Sequence, residues 1–132
     1  MSLTNEERNT LVALELKKAR ETYEEIGILT SANRWSGAAN RLYYAVFHAV
    51  SALLINDGLQ VNSHRGSHAT FNLHYIKTGL LSKEYGRLYN QLQTMREESD
   101  YNCVYDVEPE ELLSRTEPAR QLIDDIEQLI KG

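Results

Sequence analysis

Arg41 and His48 stand seven residues apart in AANRLYYAVFHAVSALL, a stretch otherwise rich in apolar and aromatic side chains. On a helix that spacing points both side chains in nearly the same direction, two turns apart, with Tyr44 between them. A guanidinium can hold an anion and an imidazole can move a proton near neutral pH, so the pair has the equipment to work on a phosphate. Burying an arginine is expensive unless it is paired. Arg41 is therefore expected to meet a carboxylate, a cluster of carbonyls or a bound anion. Asp100 is the internal candidate, and in that case His48 is a satisfied core histidine.

Arg96, Asp100 and Tyr101 form a second constellation in REESDY. The acid follows the arginine by four, the weaker order against the helix dipole, so a different partner is expected to hold Asp100. Tyr101, Asn102 and Tyr105 follow in an expected loop and offer stacking faces and hydrogen-bonding groups, as a nucleotide or single-stranded RNA site requires. His64 and Arg65 precede Gly66 and Ser67 at an expected helix start, where free amides could receive a phosphate. His64 and His68 have a spacing that can hold a metal, but no carboxylate or cysteine accompanies them. Glutamate stands three before none of the four histidines, where Ala45, Val61, Arg65 and Phe71 are found, so a di-iron carboxylate bundle is excluded. Glycine-rich phosphate loops, serine nucleophile elbows and HExxH are absent. No metal or other cofactor is expected.

The elements that must position these groups are helical. Thr4 and Glu7 have the form of a capping box, and Leu11, Leu14, Ala19, Tyr23 and Ile26 trace one face until Gly27 and Thr30 loosen the pattern. From about Asn33 to Asp57 the chain is apolar on most of its circumference and reads as a buried helix, stopped by Gly58. Leu59 to Ser63 make a connection. Residues 64–78 carry a weaker helical pattern ending at Gly79. Ser82 caps a fourth helix running to about Glu98, and DYNCVYDVE reads as an ordered loop. Pro109 opens a last helix, which Pro118 should kink or divide. Ser36, Gly37, Ala38 and Ala39 allow close helix approach within the fold or between subunits. Without sustained alternation of period two, the chain reads as an all-α, up-and-down bundle of about five helices forming a single domain over residues 1–132.

At 132 residues with 42% hydrophobic and 25% charged side chains, the chain can build one core and is not a disordered composition. The net charge of −5 conceals an uneven distribution. Residues 34–92 hold six basic and two acidic side chains and all four histidines, whereas residues 93–132 hold four basic and eleven acidic ones. An anionic partner should be sought in the middle third, while the acidic tail reads as a solvated helix face. A single cysteine, Cys103, and no apolar leader in MSLTNEER lead to the expectation of a cytoplasmic protein. The apolar run from Leu42 to Ile55 is too short to span a membrane.

AANRLYYAVFHAVSALL, then SHRGSHATFNLHYIKTGLLSKEYGRLYNQL, then REESDY, together resemble the HEPN domain family (higher eukaryotes and prokaryotes nucleotide-binding) over nearly the whole chain. The resemblance implies a helical bundle that commonly forms a homodimer, often acts with a minimal nucleotidyltransferase as partner, and includes RNA-cutting toxins of toxin–antitoxin pairs. Cutting members carry arginine, four to six residues, then histidine. Arg41 to His48 satisfies that spacing but lies in the second helix. Arg96 to Tyr101 lies where the motif is expected, with tyrosine in place of histidine, and a neutral phenol is a poor base at neutral pH.

The first expectation is thus a nucleotide, RNA or nucleotidyltransferase-binding protein whose groove holds Arg41, Tyr44, His48, His64, Arg65, Arg96, Asp100 and Tyr101. The second is a metal-independent ribonuclease using His48 or Tyr101 as acid and base, with Arg41 or Arg96 on the phosphate. The third is a non-catalytic dimeric adaptor whose polar residues are internal ties.

Overall fold

The computed structural model describes residues 3–59 and 63–132. Of the connection expected from Leu59 to Ser63, positions 60–62 lie outside the described residues. The first helix, α1 (Asn5–Ser31), begins with the expected capping box: the Glu7 amide donates to Thr4 Oγ1 at 3.0 Å, and the Thr4 amide donates to Glu7 Oε1 at 2.8 Å. It does not loosen at Gly27. The Gly27 carbonyl accepts from the hydroxyls of Thr30 and Ser31, and the helix continues to Ser31. Asn33 then takes a left-handed φ of 57°, a conformation asparagine tolerates better than most residues, and the chain reverses.

The second helix, α2 (Trp35–Asn56), is the centre of the molecule and packs against all the other α-helices. Its contacts with α1 descend in order, Arg8 with Ile55, Glu15 with His48 and Glu25 with Arg41, so the two run antiparallel. Leu42, Tyr43, Ala45, Val46, Ala49 and Val50 are completely buried, which explains the nearly continuous apolar sequence. Each large aliphatic side chain removed from water in this way contributes about 1.5–3 kcal/mol. Ala38 and Ala39 are also fully buried, and a Cβ on Gly37 would stand 3.5 Å from Leu29. Those small residues therefore serve close packing within the fold. Gly58 ends the helix with a φ of 74°, as its sequence position anticipates.

The third helix, α3 (His64–Phe71), passes directly into one π-helical turn (Asn72–Ile76), closed by a bond from the Lys77 amide to the Asn72 carbonyl at 2.9 Å. Tyr75 on that turn is buried and donates to Asp57 at 2.5 Å, which ties the end of α2 to it.

The fourth helix, α4 (Lys83–Tyr101), is capped by Ser82 as expected but runs three residues beyond Glu98. Asp100 and Tyr101 thus belong to its last turn and not to the loop. The fifth helix, α5 (Pro109–Lys131), is continuous through Pro118, so the proline does not divide it. Arg20 pairs with Asp124 and Glu127 at 2.8 and 2.7 Å, and Tyr23 donates to the Thr116 carbonyl at 3.0 Å, docking α5 along α1. One buried cluster draws side chains from every α-helix, and no strand occurs among the described residues. Among those residues no helix is long and apolar enough to cross a membrane.

Candidate functional site

Tyr43 and Tyr44 turn to different surroundings because adjacent helical positions differ by about 100°. Tyr43 is fully buried and Tyr44 half-buried. A buried phenol needs a hydrogen-bond partner, and the Tyr43 hydroxyl lies 2.8 Å from His64 Nδ1 at the start of α3. Burial pushes the Tyr43 phenol up to about 12, so it stays protonated and donates. Burial, followed by the charge of Arg96, holds the His64 imidazole below its ordinary value. His64 is therefore the neutral form with its proton on Nε2, a hydrogen-bond donor toward anything beside that nitrogen.

His48 is set up in the opposite sense. Its Nδ1 lies 3.3 Å from Glu15 Oε2 on α1, so the carboxylate draws a proton to Nδ1, and in the neutral imidazole Nε2 is then an acceptor. The two imidazoles flank the same aromatic pair: Phe47 lies 5.6 Å from His48 and 4.4 Å from His64, and Tyr44 lies 6.3 and 5.7 Å from them, between ring centroids.

Arg96 completes the group from α4. It is only 8% exposed, with its guanidinium carbon 4.8 Å from the Tyr43 ring centroid and 5.8 Å from that of Tyr44. Its Nη1 lies 3.4 Å from Asp100 Oδ2, a long contact, and its Nε is buried with no hydrogen-bond partner. The pair from Arg96 to Asp100 thus forms despite its unfavourable order, which corrects the expectation that another group holds Asp100. Arg41 is corrected as well. Its side chain is 31% exposed, and its guanidinium donates to Asn40 Oδ1, lies 4.0 Å from Glu25 and sits 5.5 Å from the Tyr44 centroid. Arg41 is therefore not a buried charge demanding Asp100, and His48, with a side chain 21% exposed, is not a core histidine.

Six of the eight residues singled out from the sequence converge here: Arg41, Tyr44, His48, His64, Arg96 and Asp100. Tyr101 follows on α4 and is 78% exposed. Arg65 is exposed on α3 one residue beyond His64. At the helix start the Gly66 amide is taken by Ser63 Oγ at 2.9 Å, and the Ser67 amide makes the first bond within the helix, to the Ser63 carbonyl. His64 and His68 diverge, the first to Tyr43 and the second to Gln93 Oε1 at 2.7 Å. Among the described residues no three His, Cys, Asp or Glu side chains gather as a metal site.

Tyr43 and Glu15 were not singled out, although they orient the two histidines. Tyr43 carried a usable signal, since a phenol inside an aliphatic helix must find a partner. Glu15 carried none, being one of several acids on an amphipathic helix.

The chain that carries these groups has counterparts among known proteins. The family model of the HEPN domain matches residues 12–131. The chain belongs to the HEPN domain family. It is 35% identical over 125 residues to a UPF0332 protein of Thermotoga maritima, covering 95% of each chain. Two proteins of Methanocaldococcus jannaschii, each named "Putative toxin", are 28% identical, one over 98% of this chain and 96% of its own length, the other over 73% and 65%. The HEPN match includes every residue of the site, from Glu15 on α1 to Tyr101 at the end of α4.

Proposed function

We propose that this HEPN protein is a toxin-like RNA-binding component that acts as a homodimer, with single-stranded RNA or a nucleotide as ligand. The observation that carries this reading is the ring of Tyr44, with the guanidinium groups of Arg41 and Arg96 at 5.5 and 5.8 Å and both imidazoles alongside. Two like charges placed beside one ring favour an anion between them. Each has only a loosely held carboxylate, Glu25 at 4.0 Å and Asp100 at 3.4 Å. The contacts with Glu25, Asp100 and Glu15 make the site a set of paired charges rather than a bare basic patch. An incoming phosphate competes with these carboxylates, so Asp100→Asn should tighten RNA binding. The two relatives named as toxins support the toxin-like part of this reading. Exposure of Tyr101 at 78%, next to Asp100 at the end of α4, supports a second copy, or a minimal nucleotidyltransferase, as its cover.

A ribonuclease reading has its own support in the two histidines. Glu15 leaves His48 Nε2 as an acceptor able to take a proton from a ribose 2′-hydroxyl, while His64 Nε2 donates and Arg96 offsets phosphate charge.

End-labelled single-stranded RNA incubated with the protein in EDTA separates the two. Retention without cutting, weakened in Arg41→Ala and by added salt, supports the binding protein. Cutting that is lost in folded His48→Ala and reduced in Glu15→Gln supports the ribonuclease. No retention and no cutting by a folded dimer defeats both.

A further inference from the structure

One turn beyond His64 on α3, a cleft of about 340 Å³ opens between α3 and α4, lined by Arg65, His68, Ala69, Asn72, Asn90 and Gln93. Five of those six side chains carry hydrogen-bonding groups, and none is a carboxylate. The other two cavities described differ in this respect, since one includes Asp125 and the other Glu98 and Glu111. We propose that this cleft is a base-reading subsite for single-stranded RNA, in which Asn72, Asn90 and Gln93 meet the edge of one base and Arg65 meets its phosphate. The inference rests on the RNA-binding reading above and adds where sequence preference would come from.

Gln93 and Asn72 have defined surroundings. His68 lies flat on Tyr89, with centroids 4.8 Å apart and planes at 7°, and its Nδ1 is 2.7 Å from Gln93 Oε1. The Gln93 oxygen thereby faces Nδ1, which leaves the Gln93 amide hydrogens as donors. Asn72 sits where α3 gives way to its π-helical turn, and its Oδ1 would be only 3.1 Å from a Cβ on Gly86. The missing side chain at Gly86 lets the Asn72 side chain lie close against α4. Side-chain amides offer a donor and an acceptor at fixed spacing, the pattern that base edges require, whereas phosphates alone require only cations.

Arg65 makes no ion pair among the described residues, so its charge is available to a phosphate. The ligand is a strand rather than a free base because the cleft lies on α3 one helical turn from His64. His64 and His68 are about 6 Å apart along one helix face. The stack from His68 through Tyr89 to Tyr43 joins the cleft to the ring that holds Arg96. Unpaired strands are favoured, since duplex RNA hides its base edges in a groove side chains cannot read.

The test is fluorescence anisotropy of short single-stranded A, C, G and U homopolymers with the full chain. Wild type should prefer one base by about tenfold or more over the poorest. Asn90→Ala, which changes an exposed side chain, and Gln93→Leu should each shrink that preference to about threefold or less. Arg65→Ala should weaken all four homopolymers by a similar factor and lower the salt slope by about one, leaving their ranking unchanged. Equal binding of the four by wild type, or a ranking untouched in both amide variants, overturns the subsite. In that event retention of RNA that is still lost in Arg41→Ala leaves the RNA-binding reading standing. Failure of wild type to retain any RNA overturns both.

Discussion

The guanidinium of Arg96 lies 4.8 Å from the ring centroid of Tyr43, a residue 53 positions earlier in the chain and fully buried. The ring supports the charge on one side while the hydroxyl of the same residue orients His64 on the other. Tyr43 is thus the joint at which α2, α3 and α4 set the geometry of the site.

Removing the charge from that joint should be destabilising. Arg96→Ala forfeits a largely desolvated cation–π contact, and a loss of about 2 kcal/mol is expected in denaturant unfolding. Asp100→Asn removes a partner that is 31% exposed and 3.4 Å away, so its effect should stay below about 1 kcal/mol. Equal losses in the two variants would show that the ion pair, not the ring, holds Arg96.

The hydroxyl of Tyr43 can be tested without disturbing its ring. Tyr43→Phe should lower stability by about 1 kcal/mol through loss of the bond to His64. The accompanying pH effect has a definite sign. Unfolded, His64 takes up a proton near 6.5, and folded it does so only at lower pH. The unfolded state therefore binds more protons across that window, and stability falls as pH drops through it; above the window both states are neutral and the penalty vanishes. The fall in Tm between about pH 7 and pH 5 should be smaller in His64→Gln than in wild type. An identical fall would assign the pH dependence to carboxylates.

Two helical glycines should respond differently to alanine. A Cβ at Gly27 meets nothing within 4 Å, so Gly27→Ala should stabilise by about 0.5–1 kcal/mol. At Gly86 the new carbon would press on Asn72 Oδ1 at 3.1 Å and Ile76 at 3.3 Å. Gly86→Ala should therefore gain nothing in Tm. A gain equal to that at Gly27 would mean that Asn72 moves aside freely.

Pro118 lies inside α5 and has no amide hydrogen for the carbonyl four residues before it. Pro118→Ala should raise stability by about 1–3 kcal/mol, read as a higher midpoint in urea. An unchanged midpoint would show that the helix has already relaxed around the proline.

Helix ends were legible because they depend on neighbours. Thr4 with Glu7, Ser82 and Gly58 each satisfy or terminate a backbone within a few residues, and all three act where their sequence positions indicate. The apolar circumference of α2 likewise announced its central place, since only a helix surrounded by others can bury so many sides. The end of α4 was less legible, because DYNC has no strong stop and the helix keeps Asp100 and Tyr101 in its last turn.

The residue types of the site were visible in the sequence: arginines and histidines in an aromatic setting, most of them on a basic middle segment, within the span that the HEPN domain model matches. Their partners were not. Glu15 meets His48 from 33 residues away and Tyr43 meets His64 from 21, and nothing local distinguishes Glu15 from the other acids of α1. Arg41 could not be assigned its exposure from periodicity, because the pattern locates the face of a helix but not which neighbour covers it. Local bonding and the hydrophobic period act along the chain, so the sequence alone determined the helices. The choice of polar partners depends on which faces meet and how much water remains between them, and only the packed tertiary structure decides that.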